Sequence, residues 1–400
     1  MIKPFDKPIV VARPALPSLE EFRQGLEGIW DRAWLTNNGP LVEQFRDDLM
    51  KFCGTTNLSL FTNGTLALQI ALQGMGITGD VITTPYTFVA TTHALFWNKI
   101  RPVFVDIEPE YYSLDPAQVE AAITPWTSAI MAVHVYGQPC RLTELEQIAR
   151  KHGLKLLYDA AHAFGVEVGG SPIGQFGDLS MFSFHATKFF HSVEGGMLTF
   201  RDPGLRRLFD YLKNFGFENE TEVVMPGTNA KMNEMQALMG ILLLKRVDEM
   251  LEKRRAINNQ YRQRLGCIPG IRLAKPPIES VRYNYAYVPV EVDEREFGLT
   301  RDQLYVKLHE YNVLARRYFY PIIPDFACYR GMFGAVELPV ARRVASRVIT
   351  LPIYNDLALD DVDRICDMIE HFQSEACRSI AAARSVQHPN PALTLPVSKL

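Results

Sequence analysis

Between Leu156 and Gly196 the chain carries a lysine and a carboxylate in positions where they could do chemistry together. Asp159 closes the apolar run LKLLYD and is followed by Ala160, Ala161 and His162. Lys188 lies in SFHATKFFHSVEGG, Ser183 to Gly196, directly after a second apolar run. A lysine amine can hold a carbonyl cofactor as a Schiff base, and an acid can keep a pyridine nitrogen protonated so that the ring accepts electrons. Placed at the ends of neighbouring strands, the two suit pyridoxal phosphate (PLP). Alone, a surface lysine and a helix-capping aspartate would be the simpler reading, so the surroundings decide. Asn63-Gly64-Thr65 stands between a strand, Leu58–Phe61, and a helix beginning near Leu66, where a small residue lets helix N-terminal amides approach a phosphate. Pro85-Tyr-Thr-Phe88 follows the next strand and could set an aromatic ring against a cofactor.

Such residues need a sheet to converge. From about residue 58 to 200, short β-branched runs alternate with helical patterns. Strands are expected at 80–84, 102–106, 129–134, 154–159, 179–184 and 197–200, and helices at 65–73, 88–97, 116–123 and 142–152. Asp115-Pro116 supplies a capping carboxylate before a proline at the first helical position. Near-continuous apolar strands between helices predict an α/β fold with a mostly parallel sheet covered on both faces, its ligand outside the carboxyl ends of the strands. After Gly227, Met235, Met239, Leu243, Val247, Met250, Ile257 and Tyr261 recur at helical spacing and predict one long helix. A smaller α+β C-terminal domain follows, with a strand over 285–292, a helix over 300–311 and a last helix over 360–372. The expected division is 1–245, 246–378 and a frayed Ala/Pro/Ser-rich tail over 379–400, whose terminal Ser-Lys-Leu matches a peroxisomal address in three residues only.

Composition narrows the partners. The 400 residues are 47% hydrophobic and 22% charged, with 42 basic and 45 acidic side chains for a net charge of −3. No global basic field draws nucleic acid or anionic lipid. The longest apolar stretches, Ala129–Val133 and Ala237–Leu244, fall far short of the ~20 residues that span a bilayer. The N-terminal MIKPFDKPIVVARPALPSLEEF has no continuous apolar run before charge returns, so a cytoplasmic location is expected. The six cysteines show no CxxC spacing and read as reduced thiols. His134, His185 and His191 lack a carboxylate or cysteine to complete a metal site, and no metal is expected; His185 reads as a residue supporting Lys188.

Nine ordered segments resemble the DegT/DnrJ/EryC1/StrS sugar aminotransferase family of fold-type I PLP enzymes. They are Trp34-Leu-Thr-Asn-Asn-Gly39, Phe61-Thr-Asn-Gly-Thr-Leu-Ala67, Pro85-Tyr-Thr-Phe-Val-Ala-Thr91, Val103-Phe-Val-Asp-Ile107, Asp159-Ala-Ala-His-Ala-Phe-Gly165, Ser183-Phe-His-Ala-Thr-Lys188, Glu194-Gly-Gly196, Gly227-Thr-Asn-Ala-Lys-Met-Asn-Glu234 and Leu351-Pro-Ile-Tyr354. The resemblance implies that Lys188 holds the cofactor and moves the proton. It also implies that Asp159 pairs with the pyridinium, Phe88 stacks on the ring, and His162 lies near its phenolic oxygen. Gly64, Thr65 and Ser183 would bind the phosphate, joined by Asn229 from the partner of a homodimer with shared active sites. Lys231, where many members have Arg, keeps the charge and loses the planar fork. Arg316, Arg317 and Tyr318, in ARRYFYP, would face the substrate.

The implied reaction moves an amino group from glutamate to a nucleotide-linked keto sugar. The segments around Thr36–Gly39, Phe61–Gly64 and Ser183–Lys188 look most like members forming dTDP-4-amino-4,6-dideoxyglucose, which points to a 4-keto-6-deoxy substrate. Amination of a 3-keto isomer remains the alternative. A sugar dehydratase is disfavoured because relatives of that type carry His in place of Lys188. A regulatory protein that kept the fold but lost catalysis should lack Lys188 or Asp159, and both are present.

Overall fold

A computed structural model describes residues 2–275, 280–334 and 336–387. Seven strands form the large sheet, in the spatial order Leu58–Phe61, Gly196–Phe200, Leu179–Ser183, Lys155–Asp159, Thr127–Val133, Asp80–Thr83, Arg101–Phe104. Leu58–Phe61, Asp80–Thr83 and Gly196–Phe200 are buried along their whole length, as expected for strands covered by helices on both faces. Gly196–Phe200 runs antiparallel to both neighbours, whereas the other pairings are parallel. Its register sets Gly196 opposite both Phe61 and Ser183, and Asp159 lies opposite Met181 on the next strand. Phe61, Asp159 and Ser183 each end a parallel strand at the same edge of the sheet, the edge where such folds bind ligands.

The helices that follow these strands start with clear caps. Asn63 caps Gly64–Gly74 by accepting the Leu66 N–H at 2.9 Å, and Asp115 caps Pro116–Ala121. Beyond the large sheet, an antiparallel sheet of Ile271–Leu273, Val288–Val292 and Val348–Leu351 shares a separate core with Tyr261, Phe297 and Phe372. Phe5 belongs to that core, and Ile9–Val10 pairs with Val313–Leu314, so the start of the chain packs on the C-terminal lobe. Asp106 ties the lobes together: its carboxylate accepts the Val340 and Ala341 N–H groups at 2.8 and 2.9 Å, capping Pro339–Arg347 from the far side. A charge-assisted cap of this kind contributes about 1 kcal/mol.

Two expectations are corrected. The long helix after Gly227 is two helices, Glu234–Leu244 and Val247–Leu265. The first is apolar nearly all round and packs among Leu19–Arg32 and Pro40–Cys53; the second is amphipathic and packs on Leu359–Gln387. Serving two different surfaces requires a change of direction, made at Lys245–Arg246, where the Arg246 guanidinium bonds the Leu16 carbonyl at 3.1 Å. The last helix runs from Leu359 to Gln387, so residues 379–387 of the expected frayed tail are helical. The Ala381-Ala-Ala383 run favours that continuation. The segment HPNPALTLPVSKL lies outside the described residues. No helix among the described residues is long and apolar enough to cross a membrane.

Candidate active site

At the strand-end edge a cavity of about 280 Å³ is lined by Gly64, Thr65, Phe88, Asp159, His162, Ser183, Lys188 and Tyr318. Eight of the sequence-derived positions thus meet in one place, near the lower end of the ~300–1,000 Å³ typical of small-molecule sites. A larger open cleft of about 760 Å³, between Phe96, Arg101 and Phe333, contains none of them.

Close packing shapes the turn after the first strand. A Cβ on Gly64 would stand 3.1 Å from the Ser183 Cβ, and one on Gly196 would stand 2.5 Å from the Asn63 carbonyl oxygen, so Gly196 admits no side chain. The Asn63 side chain caps Leu66, and the first-turn amides of Gly64 and Thr65 have no acceptor inside the helix. They face the cavity with the partial positive charge of a helix N-terminus.

Asp159 is buried, and two donors fix its carboxylate. Thr91 Oγ1 donates to Oδ2 at 2.7 Å, and the Ala161 N–H donates to Oδ1 at 3.1 Å. Thr87 and Thr91, one turn apart, meet hydroxyl to hydroxyl at 3.0 Å. Burial raises the Asp159 pKa, opposed by the Thr91 and Ala161 hydrogen bonds and the Lys188 charge. Burial lowers the Lys188 pKa to about 8, against the pull of Asp159 and Tyr318. A lysine so placed keeps a far larger free-amine fraction near neutral pH than an ordinary lysine does, which favours its role as a nucleophile.

His162 is buried and stacked on Phe319, with ring centroids 5.7 Å apart and planes within 7°. Its Nδ1 has no hydrogen-bond partner among the described residues, and burial, then the Lys188 charge, hold its pKa well below the ordinary value. The neutral ring therefore presents an unused polar atom in a dry place, where a ligand group is the natural partner. Phe88 is 56% exposed at the cavity, an apolar face left half open among the described residues. The Tyr318 carbonyl accepts from the hydroxyls of Tyr86, at 3.0 Å, and Tyr136, which carries Tyr318 and Phe319 to the cavity wall.

Four sequence-derived residues do not line the cavity. Asn229 is exposed on the strand-like return of a hairpin, bridged to Asn214. Lys231 is buried, donating to Asn214 Oδ1 at 2.6 Å above the Phe215 ring, and burial together with nearby Lys213 lowers its pKa. Arg317 is paired with Asp302 at 3.0 Å and lies over Tyr305. Arg316 is exposed and has no ion-pair partner among the described residues. His134 and His191 are structural: His134 stacks on Tyr158, and His191 Nδ1 accepts the Val193 N–H at 3.1 Å.

Thr91, Tyr287 and Phe319 were not singled out from sequence, yet Thr91 holds Asp159 and the other two wall the cavity. The Thr87/Thr91 spacing of four residues was the available signal for the first; the aromatic pair had none. Thr91→Val is expected to lower kcat about tenfold by removing the Oδ2 donor, with Thr91→Ser restoring most of it. Steady-state rates of the three forms check this.

Comparison with known proteins agrees with the geometry. The profile of the DegT/DnrJ/EryC1/StrS aminotransferase family matches residues 18–370. The dTDP-4-amino-4,6-dideoxy-D-glucose transaminase of Shigella dysenteriae is 45% identical over 368 residues, 92% of this chain and 100% of that protein. The Escherichia coli protein of the same name is 44% identical over 369 residues, 91% of this chain and 98% of its own. Among solved structures, DesI, crystallised with its TDP-sugar product, superposes with a TM-score of 0.90 at 38% identity, covering 96% of this chain and 97% of its own. With the match spanning most of the chain and the lysine, carboxylate and phosphate-binding turn meeting in one cavity, the chain belongs to the DegT/DnrJ/EryC1/StrS aminotransferase family.

Proposed function

We propose that this enzyme is a PLP-dependent sugar-nucleotide aminotransferase that moves the amino group of glutamate to C4 of a dTDP-linked 4-keto-6-deoxyhexose. The observation that carries the reading is the convergence of Lys188, Asp159 and the Gly64–Thr65 amides in one cavity, in a chain 45% identical to a dTDP-4-amino-4,6-dideoxy-D-glucose transaminase. The residues present fit the cofactor: a buried carboxylate for a ring nitrogen, an unpartnered His162 Nδ1 for a ring oxygen, and unpaired helix amides for a phosphate.

When bound, PLP supplies an electron sink and a carbonyl carbon that carries nitrogen between the two substrates. Lys188 Nζ would hold that carbon, and its amine, when free, would move the proton at the reacting carbon. Asp159 keeps the ring nitrogen protonated. Phe88 would lie against the ring, and Ser183 would join Gly64 and Thr65 in holding the phosphate. Of the basic groups expected at the sugar nucleotide's diphosphate, Arg317 is paired with Asp302, whereas Arg316, close to Tyr318 of the cavity, has no ion-pair partner among the described residues. The reading places the enzyme in the cytoplasm.

Asn229, two residues before the buried Lys231, enters through a partner subunit in this reading. The hairpin that carries it exposes Phe215, Phe217, Val223 and Val224, and Trp30 is 69% exposed, an apolar surface of the kind that a second subunit covers. Inactive Lys188→Ala chains and impaired Asn229→Ala chains, mixed and refolded, are expected to regain up to about half of the sites in heterodimers, because one of each pair is then intact. Confirmed heterodimers without recovered activity would contradict shared sites. The function itself is tested by incubating holoenzyme with glutamate and a panel of keto-sugar nucleotides, followed by mass spectrometry. Replacement of the ketone oxygen by an amino group in the dTDP-4-keto-6-deoxy substrate is expected, and an unchanged panel would overturn the reading.

A further inference from the structure

Besides Asp159 the cavity contains a second carboxylate, one with no role in the cofactor assignments above. His185 and Glu194 both line it, 44% and 52% exposed at their side chains, beside Lys188. The Thr187 N–H points to His185 Nδ1 at 3.2 Å, and the Thr187 hydroxyl lies 2.7 Å from the same nitrogen. An acceptor at Nδ1 places the ring proton of neutral His185 on Nε2, which faces Glu194 Oε1 at 3.4 Å. The turn bearing Glu194 is held as well. Ser192 Oγ donates to the Glu194 carbonyl at 2.9 Å, and Val193 sits at φ 67°, a left-handed conformation that β-branched residues avoid.

We propose that the Glu194 carboxylate, oriented by His185, binds the hydroxyl on the ring carbon next to the reacting ketone and so selects which way round the keto sugar enters. The inference rests on the sugar-nucleotide reading above. A carboxylate accepts hydrogen bonds and repels anions, so neither the carboxylates of glutamate nor a diphosphate suits this position. Both substrates offer other donors, the α-ammonium of glutamate and the 3′-hydroxyl and thymine N–H of the nucleotide, but a carboxylate beside Lys188 lies where the keto-sugar ring must react, so the ring hydroxyls are the donors it meets there. In a 4-keto-6-deoxyhexose, one neighbour of the ketone carries a hydroxyl and the other carries the methyl group and the ring oxygen, so a single acceptor distinguishes the two orientations. A site built around a substrate hydroxyl also rejects analogues that lack it.

The test compares the two half-reactions in holoenzyme. Glu194→Ala is expected to lower kcat/KM for the keto-sugar nucleotide by roughly 10–100-fold, the range for a hydrogen bond to a charged group. That loss should exceed any change in the glutamate half-reaction by at least about tenfold. On the wild-type enzyme, the 3-deoxy analogue of the keto sugar should suffer a matching loss, and Glu194→Ala should no longer distinguish the analogue from the parent. Equal losses in both half-reactions, or discrimination that survives in the variant, would overturn the inference. If the variant fails to load PLP, the analogue on the wild-type enzyme decides alone: a loss of at least about tenfold supports the inference, and indifference to the missing hydroxyl overturns it. A wild-type enzyme that aminates no keto-sugar nucleotide would instead overturn the functional reading on which the inference stands.

Discussion

Lys188→Ala is expected to abolish amino transfer, with a fall of at least ~10³-fold, and to lose the borohydride-trapped cofactor adduct while the fold persists. The side chain lies in the cavity with a pKa lowered to about 8 by burial. The direction of that shift yields a second readout on the unsubstituted chain. Cofactor capture needs the unprotonated amine, so the rate of PLP uptake by cofactor-free enzyme should rise with pH through a midpoint near 8 and then level off. An ordinary lysine would keep the rate climbing toward pH 10. Stopped-flow absorbance of the visible band, from pH 6 to 10, measures the midpoint.

Asp159→Asn is expected to lower kcat on the order of 10³-fold while PLP still binds. The substitution keeps the shape of the group and the contact with the Thr91 hydroxyl, but removes the negative charge that would keep the ring nitrogen protonated. Burial raises the Asp159 pKa, and a cationic ring nitrogen beside it would favour the ionised form. The half-reaction with glutamate, followed by loss of the visible band, separates the slowed chemistry from cofactor loss.

What the sequence made legible was local. Lys188, Asp159 and Gly64 each sit at a strand end within a few residues of the apolar run that marks the strand, so the parallel-sheet pattern alone brought them to one edge. Helix Leu142–His152 was expected at the same bounds. The break at Lys245–Arg246 left no such mark, because the apolar periodicity continues through it and only the two packing surfaces reveal the turn. The pairing of Ile9–Val10 with Val313–Leu314 joins segments some three hundred residues apart, which no local pattern encodes. The same holds within the site. Tyr287 and Phe319 reach the cavity from the C-terminal lobe, and the commitment of Arg317 to Asp302 depends on a partner fifteen residues away across a helix. The functional machinery was readable where chemistry and secondary structure share a stretch of chain. It was not readable where the other lobe supplies the wall.

The measurement closest to the central claim is the structure of the product. Holoenzyme with glutamate and dTDP-4-keto-6-deoxyglucose should give a nucleotide sugar whose NMR spectrum places a new amino group on C4, with 2-oxoglutarate formed in equal amount. No product from that substrate, together with a 3-amino sugar from its 3-keto isomer, would contradict the assignment of the reacting carbon.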